Sequence, residues 1–101
     1  MTPALALTPQ ELATVRAILA RHLPAGVTVS VFGSRARGTA KPWSDLDLAL
    51  GAPSPLPLAL LAALAEAFDE SALPWKVDLV DRATVSPVFA TIIDRDKVAL
   101  E

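Results

Sequence analysis

The chain contains no cysteine and no asparagine, a single histidine, and no large excess of either charge. The missing cysteine excludes disulfides, thiolate metal sites and a cysteine nucleophile, and is compatible with a reducing compartment. Nine Lys and Arg against eleven Asp and Glu leave a formal charge of −2, without the bulk positive charge of a nucleic-acid coat. Direct nucleic-acid binding is therefore not expected. The opening MTPALALTPQEL has no basic segment and too short an apolar run for a secretory leader. The expected location is cytoplasmic, with no membrane association.

There is no internal repeat and no linker, and 101 residues of which 52% are hydrophobic are expected to form one domain over residues 1–101. Such a domain is small for an enzyme that must build a whole substrate pocket alone, so a partner is expected to complete it. TPQELATVRAILARHL has Thr8 in the N-cap position, Pro9 at N1 and Glu11 placed for a capping box. Leu12, Val15, Leu19 and Leu23 recur on one stripe, which predicts an amphipathic helix ending before Pro24. VTVSVF (27–32), SDLDLAL (44–50) and WKVDLVD (75–81) alternate as strands. Between them, SRARGTAKPW reads as a loop or short helix closed by Gly38, and LALLAALAEAF as a helix after a proline-rich connection. Ser86 and Pro87 cap a last helix with Phe89, Ile92 and Ile93, and residues 97–100 suggest a short terminal strand. The fold class is α/β (α+β), a small mixed sheet flanked by helices.

Chemistry concentrates in GSRARGTAKPWSDLDLAL, residues 33–50. Leu46, Leu48 and Leu50 alternate with Asp45, Asp47 and Ala49, so a strand with one buried face carries both carboxylates on the other. Same-face residues are about 6.5–7 Å apart, close enough for short carboxylates to share cations. Oxygen-only donors suit magnesium or manganese rather than zinc, and paired ions about 3.5–4 Å apart serve in-line nucleotidyl displacement. Asp78 joins this site if its strand neighbours the second in matching register, and a one-residue slip turns it away. Gly33, directly after a strand, lets backbone approach a ligand, and the following turn offers N–H groups to an anion. The Ser34 hydroxyl adds a donor. Arg35, Arg37 and Lys41 bring positive charge suited to phosphate, with surface ion pairs as the alternative for both arginines. The Gly-Lys-Ser/Thr ending of a Walker A loop is absent.

Gly33-Ser34, ten intervening residues and Asp45-Leu46-Asp47, followed by VDLVD about thirty residues on, resemble the signature of the minimal nucleotidyltransferases of the polymerase-beta-like superfamily. The likeness runs from the Val27 strand to the final helix. It implies that Asp45, Asp47 and Asp78 hold two magnesium ions, with Asp78 also helping to deprotonate the attacking hydroxyl. It further implies that Gly33 and Ser34 hold the triphosphate of ATP, with Arg35, Arg37 and Ser44 counted in the nucleotide-binding set. The large C-terminal acceptor domain of antibiotic-modifying and polymerising relatives is missing from the 101 residues. Stand-alone members of this size are similar to MntA-type antitoxins, which transfer AMP to a tyrosine of a partner HEPN-domain toxin. Two rivals stand beside that expectation: a degenerate module that neutralises a toxin by steric contact, and a small-molecule, antibiotic-type nucleotidyltransferase. His22 is expected to meet the dipole of its own helix, and Lys41 to be solvated. Trp75 is expected to pack, and so is Trp43, with a nucleobase or partner contact as the alternative for Trp43. The sparsely charged faces of residues 58–65 suit core, a homodimer or a toxin interface.

Overall fold

The computed structural model describes residues 6–100; the reading of the opening residues as no leader falls in part on positions 1–5, outside that range. Helix α1 (Pro9–His22) begins as its capping box requires: Glu11 N–H donates to Thr8 Oγ1 at 3.1 Å, and Thr8 N–H donates to Glu11 Oε1 at 2.9 Å. Arg21 and His22 occupy its last turn, where positive or dipolar side chains meet the helix carbonyls. Strand β1 (Thr28–Phe32) follows, then the four-residue helix α2 (Ser34–Arg37) and strand β2 (Leu46–Gly51). Helix α3 (Leu58–Asp69), strand β3 (Val77–Asp81), helix α4 (Pro87–Asp96) and strand β4 (Val98–Ala99) complete the order. Ser86 Oγ accepts from Phe89 N–H and Pro87 fills N1, as the sequence requires of an N-terminus there.

The four strands lie in the order β3-β2-β1-β4. β1 is antiparallel to both neighbours: the chain returns from it to β2 through the connection that holds α2, and the terminal strand runs back beside it. β3 is parallel to β2, because α3 carries the chain back across the sheet before β3 begins. The sheet is thus mixed, as expected.

Leu46, Leu48 and Leu50 are fully buried and meet Val15, Leu19, Leu64 and Phe68 from α1 and α3. Each such leucine contributes about 1.5–3 kcal/mol by leaving water. The other face is not simply open. Phe32, Ala49 and Ile93 form a second buried cluster, with Val80 and Val85 against it, so α4 covers the middle of that face. The opposite parity of β2 therefore starts as carboxylate at Asp47 and becomes apolar at Ala49. Along α3, Leu64 and Phe68 are core while Leu58 is exposed, so the sparsely charged surface of that helix is shared between core and solvent. No helix among the described residues is long and apolar enough to cross a membrane.

Candidate active site

The end of β1, the start of β2 and the start of β3 meet at one edge of the sheet. Phe32 pairs with Asp47 across the antiparallel ladder, and Asp47 pairs with Asp78 across the parallel one. Parallel partners point to the same face. The register that leaves Asp78 beside the Asp-Leu-Asp strand is therefore the one the chain adopts. Asp45 lies one residue ahead of β2 and is exposed.

Gly33 sits directly against Asp47. Its φ of 74° and ψ of −156° fall in a region essentially closed to other residues. A Cβ placed there would collide with Asp47 Oδ2 and lie 3.3 Å from Asp47 Cγ. The Gly33 carbonyl accepts from Ala36 N–H at 3.1 Å and Arg37 N–H at 3.0 Å, which turns the chain into α2. Gly38, at φ 79° in the left-handed region, ends it. The N–H groups of Ser34 and Arg35 at the start of this turn have no partner within it, and they lie in the chain next to Gly33 and so beside the carboxylates.

Asp47 is half-buried, and its pKa is raised above the ordinary 3.8. Loss of water is the main cause, followed by the negative charges of Asp78 and then Asp45, with Arg37 acting against them. Like charges held in this way favour a cation. Among the described residues, however, no three carboxylate or imidazole side chains converge as a ready metal cage. Asp78 leans instead toward Lys76, whose Nζ is 3.5 Å from Asp78 Oδ1.

Arg35 departs from its expected phosphate role. It is only 4% exposed, and its guanidinium donates to the carbonyls of Ser44 (Nε at 3.1 Å, Nη2 at 2.8 Å), Pro42 (3.4 Å) and Ala6. It also lies 4.4 Å above the Trp75 ring, which is partly buried as expected. Its fork is occupied by the protein, so Arg35 shapes the loop and does not present donors to a ligand. Ser44 is used in the same loop: its Oγ accepts from Lys41 N–H at 2.9 Å. Arg37 is half-exposed and pairs with Asp96 at 2.9 Å, tying α2 to the end of α4 while its charge still reaches Asp47. Asp96, bonded by Arg95 and Arg37, is held below the usual carboxylate range. Trp43 does not pack: it is 71% exposed. Lys41 is exposed as expected, with its Nζ 5.7 Å from the Trp43 ring centroid.

Sequence reasoning missed Asp81. Its parity with Val77 and Leu79 places it on the core face, where it is 6% exposed and accepts from Leu56 N–H at 2.8 Å and Ala83 N–H at 3.0 Å. The signal was available, since a carboxylate on the buried parity of a strand requires donors.

A glycine turn thus stands against a strand carboxylate that is paired in register with a second one, at one end of a mixed sheet. The nucleotidyltransferase domain family matches residues 12–100, and the chain belongs to that family. It is 48% identical over 92 residues to the Haemophilus influenzae protein named Probable protein adenylyltransferase MntA, covering 91% of this chain and 80% of that protein. Its fold matches a chain in a crystal structure of a toxin-antitoxin with AMP-PNP, with TM-score 0.74 and 28% identity, over 89% of this chain and 72% of that one. It also matches a structure presented as a minimal nucleotidyltransferase, with TM-score 0.66 and 33% identity, over 88% of each chain.

Proposed function

We propose that this chain transfers AMP from ATP to a hydroxyl of a partner protein, a tyrosine of a HEPN-domain toxin, and so acts as its antitoxin. The observation that carries the reading is the direct pairing of Asp47 with Asp78, with Gly33 fitted against Asp47. The likeness to a named adenylyltransferase and to a toxin-antitoxin bound with a nucleotide analogue supports the choice of donor and partner.

In this reading the hydroxyl oxygen attacks the α-phosphorus, the bond to the β-phosphate oxygen breaks, pyrophosphate leaves, and the hydroxyl proton passes to a carboxylate of the site or to solvent. Gly33 lets the backbone stand close to the triphosphate, and the free N–H groups and Ser34 hydroxyl of the following turn hold its oxygens. Asp45, Asp47 and Asp78 are the residues that would hold two magnesium ions. The fit is chemical: the donors are all oxygen, and burial and like charge make ionised Asp47 costly without a cation. Such ions supply charge neutralisation and polarise the entering and leaving oxygens. Ion binding would draw Asp78 from Lys76, and Arg37, which already acts on Asp47, offers charge at the rim of the site. Residues 1–101 act as a single domain in this scheme, and the toxin completes the acceptor side.

The test is the intact mass of a HEPN-domain partner after incubation with this protein, ATP and magnesium, beside the variant carrying Asp45→Asn and Asp47→Asn. Gain in AMP-sized steps with the native protein alone supports the reading. A stable complex without mass gain, and equal neutralisation by the double variant, would replace it with steric inhibition.

A further inference from the structure

Trp43 is the most exposed aromatic side chain among the described residues, and the backbone beneath it is held by hydrogen bonds. Lys41, Pro42, Trp43 and Ser44 form a β-turn: Ser44 N–H donates to the Lys41 carbonyl at 3.0 Å, and Lys41 N–H donates back to Ser44 Oγ at 2.9 Å. Pro42 fixes the backbone at the second position of this turn. The carbonyls on either side of the tryptophan, those of Pro42 and Ser44, are both held by the buried Arg35 guanidinium. The loop is thus anchored from inside while its largest apolar side chain faces water. Such an arrangement forgoes burial of the indole.

Two features say what the indole meets. Trp43 precedes Asp45 by two residues, a backbone span of at most about 7 Å, so its backbone lies beside the carboxylate edge. One side of its ring is attended by the Lys41 ammonium at 5.7 Å. An aromatic plane with a cation beside it, next to a site for phosphate-bearing ligands, matches the two halves of a nucleotide: a flat base for the ring and negative charge for the ammonium. The geometry points to Trp43 as the platform on which the nucleotide's base stacks, with Arg35 as the buried residue that positions it. This inference rests on the nucleotide reading above and assigns a specificity-determining residue to it.

The test is calorimetric titration of the whole chain and of its Trp43→Ala and Trp43→Phe variants with ATP and, separately, with inorganic tripolyphosphate, both in magnesium. Stacking on an aromatic side chain is lost on alanine substitution at a cost that corresponds to about a ten-fold weakening of binding. The expected result is that Trp43→Ala binds ATP about ten-fold more weakly, binds tripolyphosphate as the native chain does, and is largely rescued by phenylalanine. Equal weakening of both ligands would overturn the inference, because the substitution would then be acting through the loop. Unchanged ATP affinity in Trp43→Ala would overturn it too, leaving nucleotide binding intact and giving the indole to the partner protein. Failure of the native chain to bind ATP at all would remove the nucleotide reading and this inference together.

Discussion

Gly33 and Asp47 occupy the same space to within one methyl group: the carboxylate of Asp47 stands where any side chain on residue 33 would begin. The turn and the carboxylate are therefore one device. Gly33→Ala must either push the Asp47 carboxylate aside or move the start of α2, and it also places a Cβ at φ 74°. The expected cost is about 1–3 kcal/mol of stability. Adenylylation is expected to fall more steeply than the folded fraction. Urea unfolding read alongside the toxin mass assay at a temperature where the variant is folded checks both, and full activity in a folded variant would show that the Asp47 position is not critical.

Asp47 predicts an opposition between stability and activity. Burial, Asp78 and Asp45 raise its folded pKa above 3.8. Between the unfolded and folded values the native chain binds more protons than the unfolded chain, so stability falls as pH rises through that window and stays lower above it. Asp47→Asn removes the ionisation with little change of shape. Without metal, its melting temperature is expected to exceed that of the native chain at pH 7, with the gap narrowing as pH is lowered through the raised pKa. Magnesium should then raise the native melting point and leave the variant unmoved. Outer-shell partners of metal ligands already cost about 10–100-fold when lost, so transfer by Asp47→Asn should fall by more than about 100-fold. A melting series over pH with and without magnesium reads the stability, and the toxin mass assay reads the transfer.

The strands, the caps and the glycine-carboxylate motif were legible because each is a local pattern. Thr8 with Glu11, Ser86 with Pro87, and Leu46, Leu48 and Leu50 in alternation state their structure within a few residues. Whether Asp78 faces Asp47 was not local, since it depends on how far α3 carries the chain before β3 pairs. Arg35 and Trp43 were misread for a shared reason. Hydropathy places the tryptophan inside and the arginine outside, but an Arg fork can satisfy several carbonyls at once and is buried when a loop supplies them. That loop then turns its indole out. Burial of a charged side chain by backbone acceptors leaves no periodic trace in a sequence.

Arg35 is accordingly predicted to matter for stability first. Arg35→Met keeps much of the apolar stem over Trp75 but leaves the carbonyls of Ala6, Pro42 and Ser44 without their donor. Charged hydrogen bonds and the penalty for orphaned acceptors put the loss at about 3 kcal/mol. Arg35→Lys should recover only part of it, because an ammonium cannot span acceptors that a planar fork reaches together. Urea midpoints of the three proteins order the outcome, and a lysine variant as stable as the native chain would contradict the clamp.

Asp81 offers the complementary case, a carboxylate on the same strand as Asp78 with no part in the site. Three residues apart on β3, the two point to opposite faces: Asp78 to the carboxylate edge, and Asp81 to the core side, where it accepts from Leu56 and Ala83. Its bond to Leu56 N–H holds the proline-rich connection as it enters α3, and its bond to Ala83 N–H closes the turn after β3. Asp81→Ala leaves both part-buried N–H groups without their acceptor and is expected to cost about 1–3 kcal/mol. Asp81→Asn keeps one acceptor oxygen and should recover roughly half of that cost. Because Asp81 faces away from the transfer edge, the folded fraction of either variant should modify the toxin within about two-fold of the native rate at low temperature. Asp78→Asn should show the reverse: near-native urea midpoints, since Asp78 is partly exposed and bonded only loosely to Lys76, with transfer nearly abolished. Measuring stability and mass gain for this pair of aspartates separates the carboxylate that holds the fold from the one proposed to act in transfer.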